Sequence, residues 1–204
     1  MPEFNLRADT TTNLTLDLLR HGALQGSVKY RGRTDDPLTD EGRAAMDRAW
    51  RRLAGVVDGV IASPLSRCAE PAKDWAAEAG VECIIEPRLA ELDYGAWEGK
   101  TMATIAREFP GMLERWRADP TGMRPPGGES PESLRSRLAD WWSELVMQHN
   151  GEHLLIVAHS GSLRMLIALL KNRPIAYTRQ IDMPYACLKR MTIRSGELRD
   201  CDAG

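Results

Sequence analysis

Apolar positions along the chain fall into short, nearly continuous runs separated by stretches of helical period, and this alternation organises most of the sequence. Leu14 to Leu19 is rich in apolar and β-favouring residues and predicts a strand. A loop holding Gly22, Gly26, Gly32 and Pro37 follows from His21 to Asp40. Thr39 or Asp40 can cap the next helix; Ala44, Ala45, Ala49, Trp50 and Leu53 fall roughly on one face of it, and Gly55 is expected to end it. Gly59 to Ala62 predicts a second strand, and Ser63-Pro64 turns the chain into a helix from about Leu65 to Ala79, with proline in its first turn. Gly80 stops that helix, and Val81 to Glu86 reads as a third strand. His153 to Ala158 is almost all Leu, Ile and Val, the pattern of a strand covered on both faces. An apolar helix runs from Ser162 to Leu170, then a strand over 184–194 with a weak hairpin partner at 196–200.

Residues 87–130 break this rhythm. Pro110, Pro120, Pro125 and Pro126 divide short helices at about 101–108 and 111–117. Ser130 then caps a helix over about 131–149, whose stripe of Leu134, Leu138, Trp141, Trp142 and Leu145 reads as core. Strands alternating with helices predict a three-layer α/β/α fold around a mostly parallel sheet. Residues 13–204 read as one domain with a helical cap insertion at about 87–130, and residues 1–12 as a flexible tail.

Composition narrows the function. Over 204 residues, 43% hydrophobic and 27% charged is ordinary for a soluble globular chain. A net charge of −2 supplies no general attraction to nucleic acid or acidic membrane, so any anion site must be a local cluster. Cys68, Cys83, Cys187 and Cys201 are widely spaced with no C-x-x-C pair, which predicts free thiols in a reducing cytoplasm and no structural zinc. Met1 to Asn13 lacks the apolar core of a secretory signal, and the longest apolar runs are too short to span a bilayer.

Two predicted strands end in histidine: Leu19-Arg20-His21-Gly22 and Val157-Ala158-His159-Ser160-Gly161. If the strands are neighbours, both imidazoles face one crevice at the carboxyl edge of the sheet, where ligands bind in such folds. An imidazole beside a guanidinium, with a glycine admitting close backbone, suits an anion site containing a nucleophile. The helix after Ser160 would add its amino-terminal N–H groups. Ser63-Pro64-Leu65-Ser66-Arg67 puts an arginine in the first turn of a helix, against the dipole, a small cost unless an anion offsets it. In Glu91-Leu92-Asp93-Tyr94-Gly95-Ala96-Trp97-Glu98-Gly99, Glu91 or Asp93 could supply the proton a phosphate ester's leaving oxygen needs, given burial that raises its pKa. His149 and His153 read as surface residues beside a turn, and Arg48, Arg51 and Arg52 as a solvated helix face.

These pieces, in this order at strand ends, resemble the histidine phosphatase superfamily, whose relatives include the phosphoglycerate mutases. The loop Tyr30-Arg31-Gly32-Arg33-Thr34-Asp35-Asp36-Pro37-Leu38-Thr39-Asp40-Glu41-Gly42, with Ser63–Cys68 and Gly127-Gly128-Glu129-Ser130, is most similar to the α-ribazole-5′-phosphate phosphatases of cobalamin nucleotide-loop assembly. The resemblance implies a phosphoglycerate mutase-like fold and a metal-independent phosphomonoesterase without a cofactor. His21 would be the nucleophile, its other nitrogen held by backbone near Gly22. Arg20, Arg67 and His159 would clamp the phosphoryl oxygens, and Glu91 would protonate the leaving alkoxide and then activate water. Gly22, Ser27, Arg33 and Ser160 are the further substrate contacts to expect. Three positions depart from the family pattern: Ala23 where an acid is frequent, Ser27 where mutases carry asparagine, and Ser160 where glycine or alanine is usual. The expected partner is a small phosphorylated metabolite, not nucleic acid or membrane, and apolar edges near 174–195 are where a homodimer would form. The alternatives are mutase-type phosphoryl transfer and a phosphate-ester-binding module without turnover.

Overall fold

A computed structural model describes residues 12–201. The tail expected at the amino terminus lies outside these residues except for Thr12, which is buried and accepts the Gly196 N–H. Six strands form one sheet in the order β3-β2-β4-β1-β5-β6: β1 (Leu14–Arg20), β2 (Gly59–Ala62), β3 (Glu82–Ile85), β4 (His153–Ala158), β5 (Leu188–Arg194) and β6 (Glu197–Cys201). The first four run parallel, while β5 and β6 add antiparallel at one edge. β4 shows why its sequence is continuously apolar: Leu154 and Ile156 enter one core, Leu155 and Val157 the other.

On one face lie α1 (Asp40–Arg51) and α2 (Ser66–Ala79). Thr39 caps α1, its hydroxyl accepting the Gly42 N–H at 3.0 Å. The helix stops at Arg51 rather than at Gly55, which occupies the following turn at φ +83°. Its buried face is Met46, Ala49 and Trp50, while Ala44 is exposed. The stacking of Trp50 on Trp75, 5.7 Å apart and 9° from parallel, sets this rotation. Pro64 precedes the cap of α2 instead of entering its first turn, and Gly80 ends the helix in the left-handed conformation.

The opposite face carries α5 (Pro131–Gln148) and α6 (Ser160–Leu170). Ser130 caps α5, and α6 starts at Ser160, directly after β4, two residues before its apolar period begins. Between β3 and α5 the chain makes short 3-10 turns and the helices α3 (Met102–Glu108) and α4 (Met112–Ala118). Tyr30 meets Tyr94 edge-on at 4.8 Å, and Trp97 meets Trp116 at 5.6 Å, so an aromatic cluster joins this region to the loop after β1. β5 starts at Leu188, four residues later than expected, because Pro184–Cys187 form a turn.

His153 is not the surface residue its sequence suggested. It is half-buried, and its Nε2 lies 2.6 Å from the Asp17 carboxylate, which also accepts Arg190 Nε at 3.0 Å and Nη2 at 2.7 Å. Asp17 is fully buried, and three adjacent strands supply this cluster. No helix among the described residues is long and apolar enough to cross a membrane.

Candidate active site

Parallel pairing of Arg20 with Ala158 places the two strand-end histidines side by side. The rings of His21 and His159 are 5.2 Å apart between centroids and tilted by 60°. His21 is 5% exposed, and its Nδ1 lies 2.8 Å from the Gly22 carbonyl oxygen. A carbonyl only accepts, so Nδ1 carries the proton and the Nε2 lone pair is left for other chemistry. Burial lowers the His21 pKa to about 3, with the Arg67 charge adding to the effect. His159 is fully buried; its Nδ1 accepts Arg67 Nε–H at 3.3 Å, so Nε2 carries the proton and donates to Ser63 Oγ at 2.7 Å. Burial, then Arg67, holds His159 well below the usual imidazole range.

The two expected arginines occupy different places. Arg67 is buried behind His159 and is engaged by the loop after β1: Nη1 donates to the Thr34 carbonyl at 2.7 Å and Nη2 to that of Gly32 at 2.9 Å. It therefore orients His159 and bears on His21 by charge, and it does not form the wall of the cavity in front of His21. Arg20 does form that wall. Its Nη1 donates to the Met183 carbonyl at 2.6 Å, its guanidinium lies 4.0 Å over the Tyr185 ring, and its buried Nε has no hydrogen-bond partner. An orphaned guanidinium N–H beside a nucleophile is what an incoming anion would satisfy.

Glu91 is 5% exposed and borders the same cavity, whose volume is about 400 Å³. Oε1 accepts the N–H groups of Leu92 at 2.9 Å and Ser162 at 3.0 Å, and Oε2 accepts that of Gly161 at 2.8 Å. The amino-terminal N–H groups of α6 at 161 and 162, expected to meet a ligand anion, are thus occupied by this carboxylate. Two bonds on Oε1 and one on Oε2 leave a lone pair on Oε2 as the site for a transferable proton. Behind it, Arg137 Nη2 donates to the carbonyls of Ala90 at 2.9 Å and Glu91 at 3.3 Å, fixing the backbone that aims the side chain. Asp93 is spent locally, its Oδ1 accepting the Gly95 N–H at 2.8 Å.

Of the further expected contacts, Ser160 borders the cavity, while Gly22, Ser27 and Arg33 do not. Gly22 is required by close approach of another kind: a Cβ there would sit 2.1 Å from the Gly42 carbonyl oxygen, so the glycine admits the start of α1 rather than a ligand. Ser27 and Arg33 are exposed; the Ser27 carbonyl accepts Arg31 Nη2 at 2.8 Å, and the Arg33 N–H donates to Glu98 at 2.9 Å. Sequence reading missed Lys29, Arg31, Arg164 and Tyr185, all of which line the cavity. For Arg164 a signal existed, since it lies four residues after Ser160 on one helix and so on the same face. For Tyr185 none did, because the 184–187 turn that presents it read as strand.

The fold and the sequence have counterparts among known proteins. The family model for the histidine phosphatase superfamily (branch 1) matches residues 16–199. A bifunctional protein of Mycobacterium tuberculosis is 33% identical over 162 residues, 78% of this chain but 44% of that protein. The chain thus spans less than half the length of these curated relatives. A protein of Cronobacter sakazakii named a probable phosphoglycerate mutase is 31% identical over 181 residues, 87% of this chain and 84% of that one. Among solved structures, YhfR of Bacillus stearothermophilus superposes with a TM-score of 0.86 at 28% identity, over 94% of this chain and 96% of that chain. The alpha-ribazole phosphatase of Shigella flexneri does so with a TM-score of 0.82 at 26% identity, over 92% and 95% respectively. With a family match over nearly the entire described length and a fold shared with these structures, this chain belongs to the histidine phosphatase superfamily, branch 1.

Proposed function

We propose that the chain is a phosphomonoesterase that hydrolyses a small phosphorylated metabolite through a phosphohistidine formed on His21. The observation that carries this reading is the His21 ring itself: Nδ1 is committed to the Gly22 carbonyl, and the ring borders a cavity shared with Arg20 and Glu91. In the first step Nε2 attacks phosphorus in line, the bond from phosphorus to the ester oxygen breaks, and Glu91 delivers a proton to the departing oxygen. In the second, a water attacks the phosphohistidine, its proton passes to the Glu91 carboxylate, and the P–N bond breaks to release phosphate and restore His21. Arg20 offsets the charge on the transferring group, and the charge of Arg67 acts from behind the two imidazoles.

Within that class we put α-ribazole 5′-phosphate first, on the similarity of the Tyr30–Gly42 loop and the likeness to the Shigella flexneri enzyme. Mutase-type transfer is the second reading, because several relatives are named probable phosphoglycerate mutases. Both are tested together. Wild type should release phosphate from p-nitrophenyl phosphate in excess EDTA and, on rapid quench, carry an acid-labile, alkali-stable phosphoryl group. His21→Ala should lose both while keeping its far-UV spectrum. Near-normal turnover in that variant refutes the nucleophile assignment, and interconversion of phosphoglycerates without phosphate release would favour the mutase.

A further inference from the structure

Resting on the reading of Glu91 as proton donor, we infer that Glu129 is a positioning residue for the chemical step: it holds the Arg137 guanidinium that fixes the chain around that acid. The other reacting groups are set by the sheet. Arg20 is the last residue of β1, the His21 N–H donates to the Ala158 carbonyl at 3.0 Å, and His159 directly follows β4. Glu91 has no such support, because residues 90–94 lie between two 3-10 turns in neither helix nor strand. Backbone carbonyls in such a segment must find donors outside the ladders. Arg137, on α5, supplies them to Arg88, Ala90 and Glu91.

Glu129 fixes the plane of that guanidinium. Its Oε1 accepts Arg137 Nε at 2.8 Å and its Oε2 accepts Nη2 at 2.9 Å, a fork on a planar carboxylate. The side chains are only 17% and 12% exposed, so loss of either partner leaves a shielded charge unmatched. Glu129 is also tied to the acid's own segment: its N–H donates to the Asp93 carbonyl at 2.8 Å, and its Oε2 accepts the Asp93 N–H at 3.4 Å. Gly128 permits this approach, since a Cβ there would stand 2.4 Å from the Asp93 carbonyl oxygen. The Gly127-Gly128-Glu129-Ser130 stretch thus fastens α5 to the segment that carries Glu91. A proton donor acts only within hydrogen-bond reach, so a shift of about 1 Å here matters most to a departing oxygen that needs its proton.

The test follows phosphohistidine formation on His21 by rapid quench with phenyl phosphate and with p-nitrophenyl phosphate. The two differ only in the nitro group, and so in how far the departing oxygen depends on a proton as the P–O bond breaks. Glu129→Gln should slow formation from phenyl phosphate by about tenfold, part of the ~10²–10⁴-fold a placed acid supplies, and from the nitrophenyl ester by less than about threefold. Arg137→Lys, which keeps the charge and loses the fork, should do the same, and carries the comparison if Glu129→Gln does not fold. In a Glu91→Gln background, which already loses phenyl phosphate selectively, Glu129→Gln should add nothing further. Rates unchanged or slowed alike for both esters, or a selective loss that persists without the Glu91 carboxylate, overturn the positioning role and leave the phosphatase reading standing. Unaltered rates on both esters in Glu91→Gln remove the acid and the role of Glu129 together. A wild type that acquires no phosphoryl group on His21 overturns the phosphohistidine reading as well.

Discussion

Neutral imidazole is the form of His21 that the proposed attack on phosphorus requires, and the site keeps it so by burial first and by the positive charge of Arg67 second. With the folded pKa near 3 and an ordinary value of 6.5, the free enzyme holds His21 unprotonated throughout the range where cells operate. The sign of the linkage follows. Between those two values the unfolded chain binds a proton the folded chain refuses, so His21 contributes stability above pH 6.5 that is lost as the pH falls toward 3. The slope is about 1.4 kcal/mol per pH unit for each such proton. His21→Gln should flatten the acid limb of stability measured by denaturant titration between pH 6 and 4. An unchanged slope would mean that the ring is not buried neutral. His159, lowered for the same reasons, accounts for acid sensitivity that survives the substitution.

At the scale of elements, the loop after β1 is held by one carboxylate. Glu98 accepts N–H groups from Gly32 at 3.0 Å, Arg33 at 2.9 Å, Thr34 at 3.0 Å and Tyr94 at 3.0 Å, and the Thr34 hydroxyl at 2.6 Å. The carbonyls of Gly32 and Thr34, fixed in this way, are the ones that hold Arg67. Glu98 is thus a positioning residue three hydrogen bonds from the His159 ring, by way of the Gly32–Thr34 backbone and Arg67. Glu98→Ala would leave several N–H groups unpaired and should cost about 2–4 kcal/mol of stability. It should also lower kcat more than it raises KM, since Arg67 acts on the imidazoles and does not line the cavity. An altered KM with intact kcat would show that the loop serves substrate binding alone. Glu98 stands beside Gly99 in the segment singled out for Glu91 or Asp93, and nothing in its spacing to Gly32, 66 residues earlier, marks the connection.

Across the whole molecule, the junction between the parallel and antiparallel parts of the sheet is pinned by Asp17 with His153 and Arg190. Burial alone would push the Asp17 carboxyl up, but hydrogen bonds from His153 and Arg190 outweigh it and hold it below the usual range. Its contribution is present above the ordinary value of 3.8 and fades as the pH drops through the lower folded value, a window more acidic than that of the histidines. Asp17→Ala should destabilise by about 3 kcal/mol, because Asp17 is wholly buried at the meeting of three strands and the Arg190 and His153 donors would lose their acceptor. A thermal midpoint within a degree of wild type would show the cluster to be energetically idle.

The apolar runs and their turn residues by themselves determined the strands, the order of helices and the place of His21 and His159 at strand ends. Each of those rests on short-range periodicity, and a doubly covered parallel sheet leaves few ways to join the runs. Arg20, His21 and Ser160 were recognisable for the same reason, because strand and helix ends carry them to one edge, whereas Glu91, in the loop after Leu89, was found from the need for a proton donor. Only the folded chain decided that the strands ending in His21 and His159 are neighbours, that Arg67 stands behind the imidazoles, and that Glu91 rather than a ligand takes the first N–H groups of α6. These outcomes depend on which donor meets which acceptor across tens of residues. Such pairings are settled by packing and desolvation in three dimensions, where no local pattern records them.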